Sequence, residues 1–166
     1  MIYIVTGAIE SGKTSAVYDW SKDRDDVYGI LTPNDDLGSR YLMDLSTEQC
    51  FPMQAKADDN AIISIGRYHF YRSAFSKGDQ IIEKALSSVE KGYIVIDELG
   101  KLELKNKGFY KVARSVIDAT QNNPNLHSVL VIRSYLLEDM KDHFDIMRSE
   151  LMDLKQQPTP IGNSVT

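Results

Sequence analysis

The chain has 166 residues, of which 42% are hydrophobic and 26% charged, and its formal net charge is −5. These values predict a single globular domain over residues 1–155, and the negative charge argues against nucleic acid as a partner. The single cysteine, Cys50, excludes an intrachain disulfide and a thiolate-rich metal site. No apolar stretch approaches the roughly 18 residues of a membrane helix, so we expect a cytoplasmic protein without membrane attachment. The sequence leaves the oligomeric state open, with a monomer slightly favoured.

The first motif follows an apolar run at residues 1–5. Residues 7–14, Gly-Ala-Ile-Glu-Ser-Gly-Lys-Thr, match the Walker A pattern G-x-x-x-x-G-K-[ST]. A strand, a glycine turn and a helix form this loop, whose backbone N–H groups bind phosphate oxygens. Lys13 is expected to contact the β- and γ-phosphates, and the Thr14 hydroxyl to hold Mg²⁺. The predicted nucleotide-binding residues are Gly7, Ala8, Ile9, Glu10, Ser11, Gly12, Lys13, Thr14 and Ser15.

The first half of the chain then alternates between helical and extended patterns. The spacing of apolar residues predicts a helix over residues 12–21 and a strand over residues 27–31. A polar turn at residues 32–38 leads into an antiparallel hairpin, with strands at 40–45 and 49–54. Residues 62–70 are expected to form one further strand, bent at Gly66.

The second half repeats strand and helix at longer spacing. Helices are predicted over residues 76–91, 108–120 and 135–144, with Ser134 as the cap of the last one. Strands are predicted at 93–96 and 127–132. Residues 145–154 fit a strand or a helix, and the proline-containing tail at 156–166 is expected to be disordered.

This order predicts an α/β fold with a mostly parallel sheet sandwiched between helices and an antiparallel hairpin insert. Ligands on such sheets bind at the carboxyl ends of the strands. Gly7 and Asp97 both lie at strand ends. We therefore expect the sheet to bring the glycine loop and Asp97 to the same edge.

The second motif is the acidic pair Asp97 and Glu98, which follows the apolar run at 93–96. Behind a phosphate loop, Asp97 has the position of a Walker B acid that completes the magnesium shell. Glu98 can accept a proton from an attacking water. A kinase has less use for a water-activating base, so the pair indicates hydrolysis.

Charge in the transition state requires cations besides Lys13 and Mg²⁺. Three side chains are candidates for a second cation. Lys101 lies four residues after Asp97, Arg67 follows the bend at Gly66, and Arg133 ends a predicted strand. The sequence alone does not choose among them.

Residues 97–104, Asp-Glu-Leu-Gly-Lys-Leu-Glu-Leu, resemble the Asp-Glu-Ile-Gly-Lys-Met-Glu-Leu signature of a family of small P-loop nucleoside-triphosphatases. This family includes the human cancer-related nucleoside-triphosphatase. Residues 29–32 with Arg40, and residues 66–68, resemble two further segments of the family, and the similarity covers about the first 145 residues. Residues 132–134, Ile-Arg-Ser, differ from a more apolar, proline-containing turn.

The resemblance implies a P-loop domain of the additional-strand class, with one strand between the phosphate-loop strand and the Walker B strand. It also implies slow, magnesium-dependent hydrolysis of nucleoside triphosphates with broad base tolerance. By this resemblance Lys13 and Thr14 contact phosphate and metal, Asp97 the metal, and Lys101 the phosphates. Glu98 is the implied base, so the predicted catalytic residues are Glu98, Lys13 and Lys101.

Two other functions stay open. A small-molecule or nucleotide kinase shares the loop but usually adds an arginine-rich lid. The arginines at positions 40, 67, 72, 114, 133 and 148 are scattered along the sequence. A nucleotide-gated binding module would use slow hydrolysis only as a reset, with residues 34–39 and 100–107 as its moving parts.

Overall fold

The structure is a computed structural model that describes residues 1–9 and 11–154. Glu10 of the predicted loop and the predicted disordered tail at 156–166 lie outside the described residues. The strands are β1 Ile2–Gly7, β2 Val27–Leu31, β3 Tyr41–Asp44, β4 Cys50–Pro52, β5 Ile62–Ile65, β6 Tyr68–Tyr71, β7 Gly92–Leu99, β8 Leu126–Arg133 and β9 Glu150–Leu151. The helices are α1 Lys13–Ser21, α2 Arg72–Ser88, α3 Lys101–Leu104, α4 Tyr110–Asn122 and α5 Leu137–His143.

Seven strands form one mixed sheet in the order β4-β3-β2-β7-β8-β1-β9. The pairs β2–β7, β7–β8, β8–β1 and β1–β9 are parallel, whereas β3 and β4 add to β2 as an antiparallel hairpin. The predicted α/β fold with a hairpin insert is confirmed. Because β8 lies between β1 and β7, the additional-strand arrangement is confirmed as well.

The central strands are buried on both faces. In β7, Ile94 and Ile96 pack into the cluster beneath α2, α4 and α5, whereas Val95 packs with Trp20 of α1 on the other face. All three β7 residues are fully buried. Strands covered on both faces read as continuous apolar runs, which explains the run at 93–96. This packing fixes the carboxyl ends of β1, β7 and β8 relative to one another.

Three local predictions are wrong. The segment at 62–70 forms a hairpin of β5 and β6, because Gly66 adopts a φ of +57° and, with Arg67, reverses the chain. Helix α2 begins at Arg72, four residues before the predicted start. Ser134 makes no capping hydrogen bond; it opens a 3₁₀ turn, Ser134–Leu136, and α5 starts at Leu137.

No helix in the described part of the chain has the length and apolar character needed to span a membrane.

A glycine inside α2 lets this helix approach the core ring of Phe109. Gly78 is buried, and a Cβ atom at this position would overlap the Phe109 ring, which is 1% exposed. In an open helix, Gly→Ala stabilises by about 0.5–1 kcal/mol. Here we expect Gly78→Ala to lower the free energy of unfolding by about 1–3 kcal/mol, because a packed core resists added volume.

Urea unfolding measures this change. Ser76→Ala, at an exposed position of the same helix, is the matched control and should shift the free energy of unfolding by less than about 0.5 kcal/mol. A Gly78→Ala protein that is as stable as the wild type would show that the Phe109 ring moves aside at no cost.

Candidate active site

A cleft of about 1090 Å³ lies at the edge of the sheet where β1, β7 and β8 end. It is lined by most of the side chains that the two motifs predicted. From the predicted set it contains Ile9, Ser11, Gly12, Lys13, Thr14, Ser15, Glu98 and Lys101. Gly7, Ala8 and Asp97 do not line the cleft but contact residues that do, as follows.

The glycine loop leads directly from β1 into α1. Gly12 adopts a left-handed conformation, with a φ of +81°, immediately before the first helical residue, Lys13. The ammonium group of Lys13 donates to the carbonyl oxygens of Ala8 at 2.7 Å and Gly7 at 3.3 Å, and to Ser11 Oγ at 3.3 Å. The side chain is therefore held inside the loop, with 8% of its surface exposed.

Behind the loop, the side chains of Thr14 and Asp97 are hydrogen-bonded to each other. The Thr14 hydroxyl donates to Asp97 Oδ2 at 2.7 Å, and the Thr32 backbone N–H, which follows β2, donates to the same oxygen at 3.1 Å. Asp97 is fully buried, and burial raises the pKa of its carboxyl group, against the two hydrogen bonds that lower it. Within the described residues its second oxygen, Oδ1, has no hydrogen-bond partner.

These oxygens suit a small hard cation. A hydroxyl that donates to a carboxylate keeps its lone pairs for a metal, and Asp97 Oδ1 is a further buried oxygen without a partner. Among residues 1–9 and 11–154, no group of three His, Cys, Asp or Glu side chains could enclose a metal. Mg²⁺ typically takes one or two carboxylates and completes its shell with substrate phosphates and water. The residues present therefore fit Mg²⁺ rather than a closed, all-protein metal site.

Glu98 is placed by an irregularity at the end of β7. Asp97 pairs with Val131 and Leu99 with Ile132, so Glu98 is an extra residue on its strand. Such bulges redirect a side chain. Glu98 Oε1 forms an ion pair with Arg133 Nε at 2.9 Å, and both side chains are partly buried. Arg133 is also the β8 residue in register with Gly7, so this ion pair lies next to the start of the loop.

With this geometry in view, the chain was compared with known proteins. A model of an NTPase family matches residues 2–157. The chain belongs to this NTPase family. The crystal structure of THEP1 from the hyperthermophile Aquifex aeolicus is similar, with a TM-score of 0.71 and 21% identity, covering 93% of this chain and 90% of that chain. No curated protein sequence matches the chain.

Membership of the NTPase family confirms the resemblance drawn from residues 97–104. The likeness to THEP1 extends over nearly the whole of both chains and confirms the P-loop α/β fold. At this level of identity it concerns the fold alone. The activity, the metal and the residue roles therefore rest on the geometry of this chain.

One residue that lines the cleft, Glu103, was not predicted to have a role. Its side chain is 3% exposed. Oε2 accepts from the Gly100 N–H at 2.8 Å and Oε1 from the Phe109 N–H at 2.9 Å, so the carboxylate closes the segment that carries Lys101. The spacing of Gly100 and Glu103, that of a helix N-cap and its third residue, was the signal that could have identified it.

Burial raises the pKa of Glu103 to about 7, with the charge of Glu98 adding to the rise and the backbone hydrogen bonds opposing it. A carboxyl that titrates near 4.5 when unfolded and near 7 when folded makes the protein lose stability as the pH rises between these values. Gln cannot ionise. We expect the free energy of unfolding to fall by about 2 kcal/mol more in the wild type than in Glu103→Gln between pH 5 and pH 8.

Urea unfolding of both proteins at the two pH values measures this difference. Burial also raises the pKa of Asp79 to about 6, but this group is present in both proteins and its contribution cancels. Equal pH dependence in the two proteins would contradict the raised pKa of Glu103.

The arginines are less scattered in space than in the sequence. Arg40, Arg67 and Arg133 all line the cleft, whereas Arg72, Arg114 and Arg148 do not. The scattering of arginines along the sequence was the argument against a kinase, and it does not hold in space for Arg40, Arg67 and Arg133. Lys101, Arg67 and Arg133, the three candidates for a second cation, are all at the cleft.

Proposed function

We propose that this protein hydrolyses nucleoside triphosphates to the diphosphate and inorganic phosphate, slowly, with Mg²⁺ and with broad base tolerance. One observation carries the proposal: Lys13 and Glu98 line the same cleft, and the hydrogen-bonded side chains of Thr14 and Asp97 lie beside it. A phosphate-binding lysine, a set of metal-binding oxygens and a carboxylate base are the parts that this reaction requires.

The glycine loop would bind the triphosphate through its backbone N–H groups and Lys13. The three loop oxygens that now accept from the Lys13 ammonium would give way to phosphate oxygens, which are stronger, charged acceptors. Thr14 and Asp97 would hold Mg²⁺. When bound, the ion neutralises charge on the β- and γ-phosphate oxygens.

Glu98 would act as the general base. Its Oε1 is held by Arg133, which fixes the carboxylate and leaves Oε2 to accept a proton from water. The water oxygen bonds to the γ-phosphorus, the bond from that phosphorus to the β,γ-bridging oxygen breaks, and the diphosphate leaves. Arg133 acts here as a positioning residue through Glu98.

Lys101 would supply the second cation. It is the first residue of α3, it lines the cleft, and the Gly100 N–H bond to Glu103 fixes the backbone just before it. The charge of Arg133 is already balanced by Glu98, whereas no ion pair of Lys101 occurs among residues 1–9 and 11–154. The ammonium group of Lys101 would therefore be able to pair with the phosphates of the substrate.

The ion pair and the loop also support the slow rate and the broad tolerance. A carboxylate that shares an oxygen with a guanidinium is a restrained base, which favours slow turnover. The predicted contacts of the loop are all to phosphates, which every nucleoside triphosphate carries, so these contacts do not discriminate between bases.

A kinase is the second candidate, and the arginines at the cleft are the observation that favours it. Such residues bind the acceptor or the transferred phosphate in phosphoryl transfer. The two candidates differ in what they need. A hydrolase releases phosphate with water alone, and a kinase releases almost none without its acceptor.

Phosphate release from ATP, GTP, CTP and UTP, with no acceptor added, tests the proposal. We expect release from all four, with rates within about tenfold of one another, and loss of activity when a chelator removes Mg²⁺. No release from any triphosphate would contradict hydrolysis and favour the kinase. Full activity in the chelator would contradict the metal assignment.

A further inference from the structure

Three arginines line the cleft around Tyr68, the first residue of β6. Arg40 precedes β3, Arg67 lies in the turn between β5 and β6, and Arg133 ends β8. We call these three residues the arginine cluster. Arg67 Nη2 donates to the Tyr68 hydroxyl at 3.1 Å, and this bond lowers the pKa of Tyr68, with the charges of Arg133 and Arg40 acting in the same direction. The charges of all three guanidinium groups therefore affect the same hydroxyl group, that of Tyr68.

Most of this positive charge is not balanced by carboxylates within the part of the chain that the structure describes. Arg133 pairs with Glu98. Arg67 contacts the neutral Tyr68 hydroxyl, and Arg40 Nε lies 3.4 Å from the Asn34 amide oxygen. Neither Arg40 nor Arg67 has an ion pair with a described residue. The positive charges of Arg40 and Arg67 would therefore attract an anion to this end of the cleft.

The same end of the cleft has an apolar wall. It consists of Met53, Ile65, Phe70 and Phe75, which belong to one apolar cluster. Apolar walls with a few polar groups are typical of sites that bind the ring or hydrocarbon body of a small molecule. The whole cleft, at about 1090 Å³, is slightly larger than the roughly 300–1,000 Å³ usual for one ligand. It has room for a second molecule beside the triphosphate.

Charge and shape together define the class of that molecule. A phosphomonoester carries about two negative charges at neutral pH and three acceptor oxygens, which matches the two unbalanced guanidinium groups. Arginine binds phosphate through paired N–H bonds. A single carboxylate would leave one arginine charge unbalanced.

We propose that the arginine cluster and the apolar wall bind an aromatic phosphomonoester while the glycine loop holds the triphosphate. The phosphate contacts Arg40 and Arg67, and the ring lies against Met53 and Phe70. This site goes beyond hydrolysis and depends on the proposed function only for the position of the triphosphate.

Calorimetry with the full chain tests the site, using phenyl phosphate as the probe. The protein is first saturated with Mg²⁺ and a non-hydrolysable ATP analogue, and phenyl phosphate is then titrated. We expect saturable binding of one equivalent. The double variant Arg40→Ala/Arg67→Ala should bind phenyl phosphate at least about tenfold more weakly, the usual effect of losing charge-assisted hydrogen bonds, and the analogue within about twofold of the wild type.

Two controls sharpen the result. Arg72→Ala/Arg114→Ala removes the same charge outside the cleft and should leave phenyl phosphate binding unchanged. Inorganic phosphate lacks the ring and should bind roughly tenfold more weakly than phenyl phosphate. The hydrogen bonds from Met53 and Gln54 to Arg40 use its backbone oxygen, so truncation of the side chain preserves them. Arg67→Ala alone, in an exposed turn, repeats the test should the double variant unfold.

Absence of phenyl phosphate binding, or competition between the probe and the ATP analogue, would overturn the proposal. A large loss of analogue affinity in the double variant would also overturn it, because the arginines would then belong to the triphosphate site. Equal affinity for inorganic phosphate and phenyl phosphate would show that the ring contributes nothing, and would overturn the proposal that the ligand is an aromatic ester. Failure of the wild type to bind the analogue would contradict the proposed function instead, and phenyl phosphate titrated alone would still report on the arginine cluster.

Discussion

Replacement of Glu98 by Gln should reduce turnover by roughly 10²- to 10⁴-fold and leave the affinity for nucleotide nearly unchanged. Gln has the shape of Glu and keeps an oxygen that can lie next to Arg133 Nε, although it has no charge to pair with the guanidinium group. It cannot take a proton from water at neutral pH. The substitution therefore removes the base with little change in the shape of the site.

Steady-state phosphate release gives the turnover of this variant, and titration with a fluorescent nucleotide gives its affinity. Glu138→Gln is the matched control, because Glu138 is an exposed acid on α5 that pairs only at the surface with Lys141. This control should behave as the wild type. Turnover that survives Glu98→Gln unchanged would show that another group, or none, activates the water.

Replacement of Lys13 by Ala should weaken nucleotide binding itself, by about 10²-fold or more. Lys13 is expected to contribute charge-assisted hydrogen bonds to two phosphates, and each such bond stabilises by about 1.5–3 kcal/mol. The side chain is nearly buried in the loop, so Ala also leaves a gap there. Lys13→Met, which keeps most of the volume, separates the loss of charge from the loss of packing.

The same nucleotide titration measures these two variants. Lys22→Ala serves as the control, since Lys22 follows the same helix and pairs with Asp19 at the exposed surface. It should bind nucleotide like the wild type. Affinity within a few-fold of the wild type in both Lys13 variants would count against the loop as the phosphate site.

The sequence predicted those parts of the fold that are determined by the residues within a short segment of the chain. Strand β2 has its predicted bounds, and α1 starts one residue after the predicted position, because apolar runs and the glycine loop act over a few residues. The hairpin of β5 and β6 was missed because its turn, at Gly66 and Arg67, interrupts an otherwise continuous extended pattern. A short strand such as β9, of two residues, depends on the edge of β1 that it joins.

At the candidate site too, compact motifs could be predicted and contacts between distant residues could not. The loop and the acids at 97 and 98 were predicted because each is a compact motif at a strand end. The hydrogen bond between Thr14 and Asp97, the pairing of Glu98 with Arg133 and the arginine cluster were not, because the partners are far apart in the sequence and come together only in the folded chain. Glu103 lay within a recognised motif, but its role depends on burial, which spacing does not reveal.

Hydrolysis in water enriched in heavy oxygen tests the central claim most directly. The account states that a water activated by Glu98 attacks the terminal phosphorus of a triphosphate held by the glycine loop. Mass analysis should then find the heavy oxygen in the inorganic phosphate and none in the diphosphate. Label in the diphosphate, or no cleavage of any triphosphate in the presence of Mg²⁺, would contradict it.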